Sequence, residues 1–305
     1  MAKPDPDQPT PPTLRRFVSD AELDRLIATA KAEDFGKVGD VTSAAMIEAD
    51  RAGEAVIASR EAGVIAGGAL LWLIALAYDD AVTVKLKHED GAAVQPGNVV
   101  AKLTGPLRSL LAIERVALNF CCHLSGIATL TRRFVDAVEG TSAKIYDTRK
   151  TLPGLRGVEK YAVACGGGHT HRMGLDDALL IKDNHVAGLE LKAWPKAINA
   201  AIKAAKELNP KLAFAMVEVD SLDQLAAALK SSTDVVLLDN FKPDAVREAV
   251  AIRDKAAKRI ELEVSGGVSL DTVRELAEAG ADRISVGALT HSAKALDLGL
   301  DLRVD

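Results

Sequence analysis

The sequence predicts an α/β protein in two parts: an antiparallel sheet with helices, then a parallel sheet wound as a barrel. Three observations carry this. Strand-like apolar runs end at Asp147, Ile181, Val219, Leu238, Val264 and Val286. Helical runs rich in alanine and leucine lie between most of them, over 192–208, 221–230, 243–258 and 270–279. Before about residue 129 this alternation is missing, and short alternating strands are mixed with helical patterns. Six strand-then-helix units in a row require a parallel sheet. Length alone leaves barrel and doubly wound sheet open. The weakly similar late units DVVLLDNF, RIELEVSGG and DRISVGA indicate regular wrapping, which favours the barrel.

In chain order, residues 1–13 (MAKPDPDQPTPPT) are polar and proline-rich, without the apolar core of a signal peptide, and read as a disordered lead-in. Ser19 is an N-cap for a helix over 21–32, with Glu22 completing a capping box. The loop EDFGKVGDVT follows at 33–42, and 53–60 and 81–88 alternate as strands. The run VIAGGALLWLIALA at 64–77 is too short to span a bilayer and reads as a buried helix entered through Gly67-Gly68, with Trp72 in the packing. A turn at Gln95-Pro96-Gly97 precedes another strand. Residues 107–138 read as one long helix, broken or bent at Gly126, with Arg132-Arg133 on a solvated face. In the second half, Ser221 with Gln224 forms a second capping box, and Gly280 is a C-terminal stop.

Composition narrows the function. The 305 residues can bury a full-size core in one large domain or two unequal ones. A net charge of −5, aromatics at 4% and no basic run argue against a nucleic-acid partner. Cys121, Cys122 and Cys165 make neither a disulfide framework nor a metal-ligand spacing, which suits buried residues in a reducing compartment. The expectation is a cytoplasmic protein without a membrane segment.

The chemistry concentrates in residues 147–185. Asp147, Arg149, Lys150, His171, Arg172, Lys182, Asp183 and His185 gather where short apolar runs stop: IYD ends in TRK, and ALLI ends in KDNH. Parallel strands that end in charge place it at one rim of the sheet, where α/β enzymes build their sites. Arg149, Arg172, Lys150 and Lys182 are donors without acceptors, and two guanidinium forks suit a dicarboxylate. Glu218 and Asp239 end successive strands; such a pair can hold Mg²⁺, bind ribose hydroxyls or stabilise a developing cation. Asp220 shares the face of Glu218 by alternation and is an alternative, or a cap for the next helix. Ser265-Gly266-Gly267 and Val286-Gly287-Ala288 resemble a barrel phosphate site, where glycines admit phosphate oxygens to backbone N–H groups and a helix N-terminus adds positive potential. His88, His123 and His291 stand alone and read as structural or exposed, and no cysteine or carboxylate completes a metal site with His169 and His171. Walker A, GxGxxG, GxSxG and HExxH motifs are absent.

These motifs in this order resemble the quinolinate phosphoribosyltransferase family. The matching text is EDFGKVGDVT, LLAIERVALNFCCHLSGIAT, YDTRKTLPGLRGVEKYAVACGGGHTHRMGL, LIKDNH, VEVD, LLDNF, EVSGGV and RISVGALTHSAKALDLGL. The resemblance implies a mixed α/β N-terminal domain over 14–128 and an open TIM-like α/β barrel over 129–291. It also implies that 292–305 pack back on the first domain, and that a homodimer sends Arg115 into the partner's pocket. Arg149, Arg172, His171 and Lys182 would surround quinolinate, with Thr148 and Lys150 at the pocket edge. Glu218 and Asp239 would face the ribose and its Mg²⁺, while Ser265, Gly266 and Gly267 and the turn of Val286, Gly287 and Ala288 would hold phosphate. Lys150, Lys182, Glu218 and Asp239 would serve the chemistry. The implied reaction joins quinolinate to phosphoribosyl pyrophosphate with loss of CO₂. Thr170 departs from the asparagine that many members carry beside the HR pair.

Overall fold

The computed structural model describes residues 13–256 and 259–303. The proposed lead-in therefore lies outside the described residues except for Thr13. The first helices and strands are α1 (Asp20–Phe35), α2 (Val41–Met46), β1 (Ala52–Ser59), β2 (Gly63–Val64) and α3 (Gly68–Tyr78). Then come β3 (Thr83–Leu86), β4 (Ala93–Val94), β5 (Val99–Pro106), α4 (Leu107–Ala137), β6 (Lys144–Tyr146) and α5 (Arg156–Cys165). The alternating part holds β7 (Leu179–Ile181), α6 (Asp183–Val186), α7 (Trp194–Leu208), β8 (Ala215–Val219), α8 (Leu222–Ala228), β9 (Val235–Asp239) and α9 (Pro243–Arg253). The last elements are β10 (Glu261–Ser265), α10 (Val273–Glu278), β11 (Arg283–Ser285), α11 (Ala288–His291) and β12 (Leu298–Arg303). They fall into two compact units.

The first unit holds the described residues up to Arg132, Thr151–Gly167 and those from Leu289 onward. Its main sheet has the antiparallel order β12-β1-β5-β3, and β12 pairs with β1 from Glu54↔Arg303 to Ser59↔Leu298. Ser19 and Glu22 form the expected capping box on α1. Gly67 enters α3 in the left-handed region, φ 97°, and has no side chain to cap it. Asp90 supplies the cap instead, accepting from Gly68 N–H at 2.7 Å and Ala69 N–H at 3.2 Å. Burial pushes this carboxyl above its ordinary pKa despite those bonds and the one from Tyr161.

Two expectations about these helices are corrected. Leu70, Leu71 and Ile74 of α3 are fully buried, but Trp72 is 60% exposed, so only one face of this apolar helix packs. Helix α4 runs unbroken through Gly126. A Cβ at Gly126 would collide with the Lys294 carbonyl, so the glycine permits a close backbone approach rather than breaking the helix. By length and composition α4 could cross a membrane, yet 61% of its most apolar window is buried within the structure.

The second unit, Arg133–Lys150 and Gly168–Ala288, is built on six parallel strands in the order β6-β11-β10-β9-β8-β7. The unit's first strand lies beside its last, and the others follow in sequence. This is the order of a barrel opened at one seam, between β6 and β7. The chain between those two strands, Thr151–Gly167 with α5, clusters with the first unit, whereas the sequence placed it inside the barrel. Ser221 makes no side-chain cap on α8; Gln224 instead accepts from Asp220 N–H at 2.9 Å. Because every pair is parallel, all six strand C-termini share one rim.

Candidate active site

Residue by residue, the rim begins at β6. Asp147 is fully buried and ties two loops together. Its N–H donates to His169 O at 3.0 Å, and its Oδ1 accepts from His171 N–H at 2.7 Å. The segment after β6 and the segment before β7 are thereby held side by side. Thr148 Oγ1 accepts from Lys150 N–H at 3.0 Å, a local turn that fixes how the chain leaves the strand.

This arrangement brings Arg149 and Arg172 together. Arg172 is 9% exposed and donates to Ala178 O at 3.2 Å. Burial, and then the charge of Arg149, hold its guanidinium below the ordinary pKa, with Asp177 pulling the other way. The Arg149 Nε is buried with no hydrogen-bond partner among the described residues. Two cations that disfavour each other, one buried and one half-buried, create a preference for an anion between them.

Next along the rim, Lys182 leaves β7 and its Nζ meets Glu218 Oε2 of β8 at 2.5 Å. His185 Nδ1 accepts from Lys182 N–H at 3.0 Å and so shapes this turn. Asp239 ends β9, opposite Ser265 of β10. Asn240 adopts the left-handed region, φ 59°, donates from its amide to Asp239 Oδ2 at 2.8 Å and from its N–H to Ser265 O at 2.8 Å. Gly266 and Gly267 have φ 96° and 59°, and a Cβ on Gly266 would strike the Asn240 side chain. Only glycine fits there.

The two glycine turns differ in detail from expectation. Helix α10 starts at Val273, so its N-terminus does not directly follow Ser265-Gly266-Gly267. The second turn runs straight into α11 at Ala288, a helix of four residues. Val286 is buried and its N–H donates to Tyr146 O at 2.9 Å, which ties the start of this turn to the sheet.

The family model described as "Quinolinate phosphoribosyl transferase, C-terminal domain" matches residues 127–301, and its N-terminal counterpart matches 40–125. The chain belongs to the quinolinate phosphoribosyltransferase family. It is 46% identical to the nicotinate-nucleotide pyrophosphorylase [carboxylating] of Mycobacterium leprae, over 94% of this chain and 100% of that protein. It is 38% identical to the enzyme of that name from Arabidopsis thaliana, described as chloroplastic, over 92% of this chain and 83% of the relative. The nicotinate-nucleotide pyrophosphorylase structure from Francisella tularensis superimposes with TM-score 0.84 at 36% identity, covering 94% of this chain and 98% of that one.

As a quinolinate phosphoribosyltransferase, the chain keeps one expected site residue outside the second unit. Arg115 lies on α4 in the first unit, its side chain 63% exposed and 3.8 Å from Glu114. With Arg60, Cys122 and Leu296 it lines a cavity of about 400 Å³. His171 Nδ1 accepts from Arg172 N–H at 2.8 Å, and its Nε2 lies 3.4 Å from Glu263 Oε1, so both ring nitrogens face the protein. Sequence reasoning passed over Glu263. The signal was the polar alternation of ELEVS in β10, which puts Glu261, Glu263 and Ser265 on one face of a buried strand.

Among the described residues no three His, Cys, Asp or Glu side chains gather as a metal cluster. Glu218 and Asp239 remain, two carboxylates at neighbouring strand ends. That number fits Mg²⁺, which is commonly held by one or two carboxylates together with substrate phosphates.

Proposed function

We propose that this protein transfers the phosphoribosyl group of phosphoribosyl pyrophosphate to quinolinate and releases CO₂, pyrophosphate and nicotinate mononucleotide, a step of NAD biosynthesis. The pair of buried Arg172 and half-buried Arg149 carries the reading, because two neighbouring guanidinium groups suit an anion with more than one negative group. Arg149 and Arg172 hold the two carboxylates, with Lys150 and Lys182 lowering the remaining negative charge. Ser265, Gly266, Gly267 and the Gly287-Ala288 turn take the 5-phosphate. Glu218 and Asp239 would hold Mg²⁺ shared with the pyrophosphate, where the ion supplies neutralisation of the leaving group.

The ring nitrogen of quinolinate, aligned by the arginines, forms the bond to C1 of the ribose as the C1–O bond to pyrophosphate breaks. Positive charge grows on the ribose ring meanwhile, and Glu218 and Asp239 stabilise it. The product ring is a cationic pyridinium. Its adjacent carboxylate leaves as CO₂, the electron pair stays on the ring carbon, and a proton then takes that position. No further cofactor is needed as electron sink.

The active form in this reading is a homodimer in a reducing cytoplasm. The three cysteines are free, in keeping with that compartment. Arg115 of one subunit enters the partner's pocket. The decisive assay is CO₂ release from quinolinate labelled in the carboxylate next to the ring nitrogen. Release is expected only with phosphoribosyl pyrophosphate present, to stop with EDTA and to return with Mg²⁺. Release without the phosphoribosyl donor, or none with it, would overturn the assignment.

A further inference from the structure

Among the described residues, Glu263 is, with Asp147, one of two acids of the second unit with no solvent exposure. It is fully buried in β10, and neither carboxylate oxygen accepts a hydrogen bond among the described residues. A buried carboxylate is retained only where it has a task, because removal from water strongly disfavours it. His171 Nε2 lies 3.4 Å from its Oε1. The other ring nitrogen settles the tautomer: His171 Nδ1 accepts from Arg172 N–H at 2.8 Å, so in the neutral ring the proton sits on Nε2 and points toward Glu263.

We propose that Glu263 is a positioning residue for the dicarboxylate pocket, acting through the His171 ring on the backbone of Arg172. The inference rests on the functional reading given above, and it adds a residue that reading does not use. Glu263 orients the Nε2–H. This fixes the ring plane and presents the Nδ1 lone pair to Arg172 N–H. Asp147 holds the other side of the same loop, through His171 N–H at 2.7 Å. Asp147 lies two residues before Arg149, so the same anchors set the spacing of both guanidinium groups. Edge-on contact with Phe214, ring centroids 5.3 Å apart, limits tilting of the imidazole. The pathway has one acceptor, one ring and one backbone donor. The carboxyl faces Nε2 at 3.4 Å without a formed hydrogen bond, and the bond from Arg172 N–H to Nδ1 is directional; a space-filling residue supplies no acceptor for the first contact.

The test compares Glu263→Gln with Glu263→Leu in the full-length protein. Both fill the volume, but only glutamine keeps an oxygen that can accept from Nε2–H. The leucine variant is expected to raise KM for quinolinate by about 10- to 100-fold, as displacements of about 1 Å in binding groups do, while KM for phosphoribosyl pyrophosphate stays within about threefold. The glutamine variant is expected to recover most of the loss. Equal behaviour of the two variants, or parallel rises in both KM values, would overturn the proposal. A second measurement does not depend on turnover or on either variant. The ¹⁵N shifts of His171 in the wild-type protein at neutral pH are expected to show Nε2–H with Nδ1 as acceptor. The opposite tautomer would end the proposal. Wild-type protein that showed the expected tautomer but released no CO₂ from quinolinate would instead refute the assigned reaction.

Discussion

Two pairs of arginines in the second unit sit at opposite ends of the same parallel sheet and are treated differently. Arg253 and Arg259 converge on Asp282, which lies just before β11 at the N-terminal end of the strands. Arg253 Nη1 meets Asp282 Oδ2 at 2.5 Å, Arg259 meets Oδ1 at 2.8 Å, and Leu262 N–H donates to Oδ2 at 2.9 Å. Arg149 and Arg172, at the C-terminal rim, press on one another and form no ion pair among the described residues. One end is electrically closed and the other is left open. Barrels separate stability from chemistry in this way, with the strand N-termini tuned for the first and the C-termini for the second.

Substitutions can break that contrast. The largest effect is expected from Arg149→Ala, with kcat/KM for quinolinate falling by about 100-fold or more, since a bidentate charge-assisted contact is lost. Its melting temperature should not fall, because the substitution relieves repulsion on Arg172. Near-normal turnover in folded protein would show that the open pair is not the substrate site.

Asp282→Asn should do the reverse. Breaking a buried, hydrogen-bonded ion pair costs about 3–5 kcal/mol of stability, read from denaturant unfolding, with kinetics of the folded fraction unchanged. Burial alone would raise the Asp282 pKa, but Leu262 N–H and the two arginines outweigh it and hold the carboxyl below its ordinary 3.8. Its stabilising contribution is therefore complete above the unfolded value and lost as pH falls through the lower, folded one. The wild-type protein should lose its advantage over Asp282→Asn below about pH 3.8, and a constant gap down to pH 2 would contradict the role given to Asp282.

The rim is proposed to be completed by a partner's Arg115. Arg115→Ala and Lys182→Ala should each be inactive, and an equal mixture should recover about a quarter of wild-type activity, since half the dimers are mixed and each carries one intact site. No recovery under demonstrated subunit exchange would leave the pocket within one chain. The smallest effect belongs to Arg247→Ala. Its pair with Asp244 is exposed on α9, and stability should change by no more than about 0.5 kcal/mol. A larger change would mean that charge placement, rather than burial, governs these pairs.

What was legible in the letters follows from periodicity and from termini. The capping box at Ser19 and the six strand ends are local patterns, and they stand where expected. The charged stretch after β6 and β7 was readable because parallel strands send their ends to one rim. Trp72 and Gly126 misled for the same reason. A tryptophan in an apolar run and a glycine in a helix have two meanings each, and only the neighbouring surface chooses between exposure and burial, or between a break and a close approach.

The sequence by itself determined the family, the order of the strands' polar ends and the types of charge available for two anions. The three-dimensional structure decided which charges meet. It opened the barrel seam between β6 and β7, drew Arg149 beside Arg172 through Asp147, and turned the His171 ring inward to Glu263. Those decisions depend on contacts between residues 24 to 92 positions apart. Coulomb forces, burial and hydrogen-bond direction act through space, and no local pattern along the chain records them.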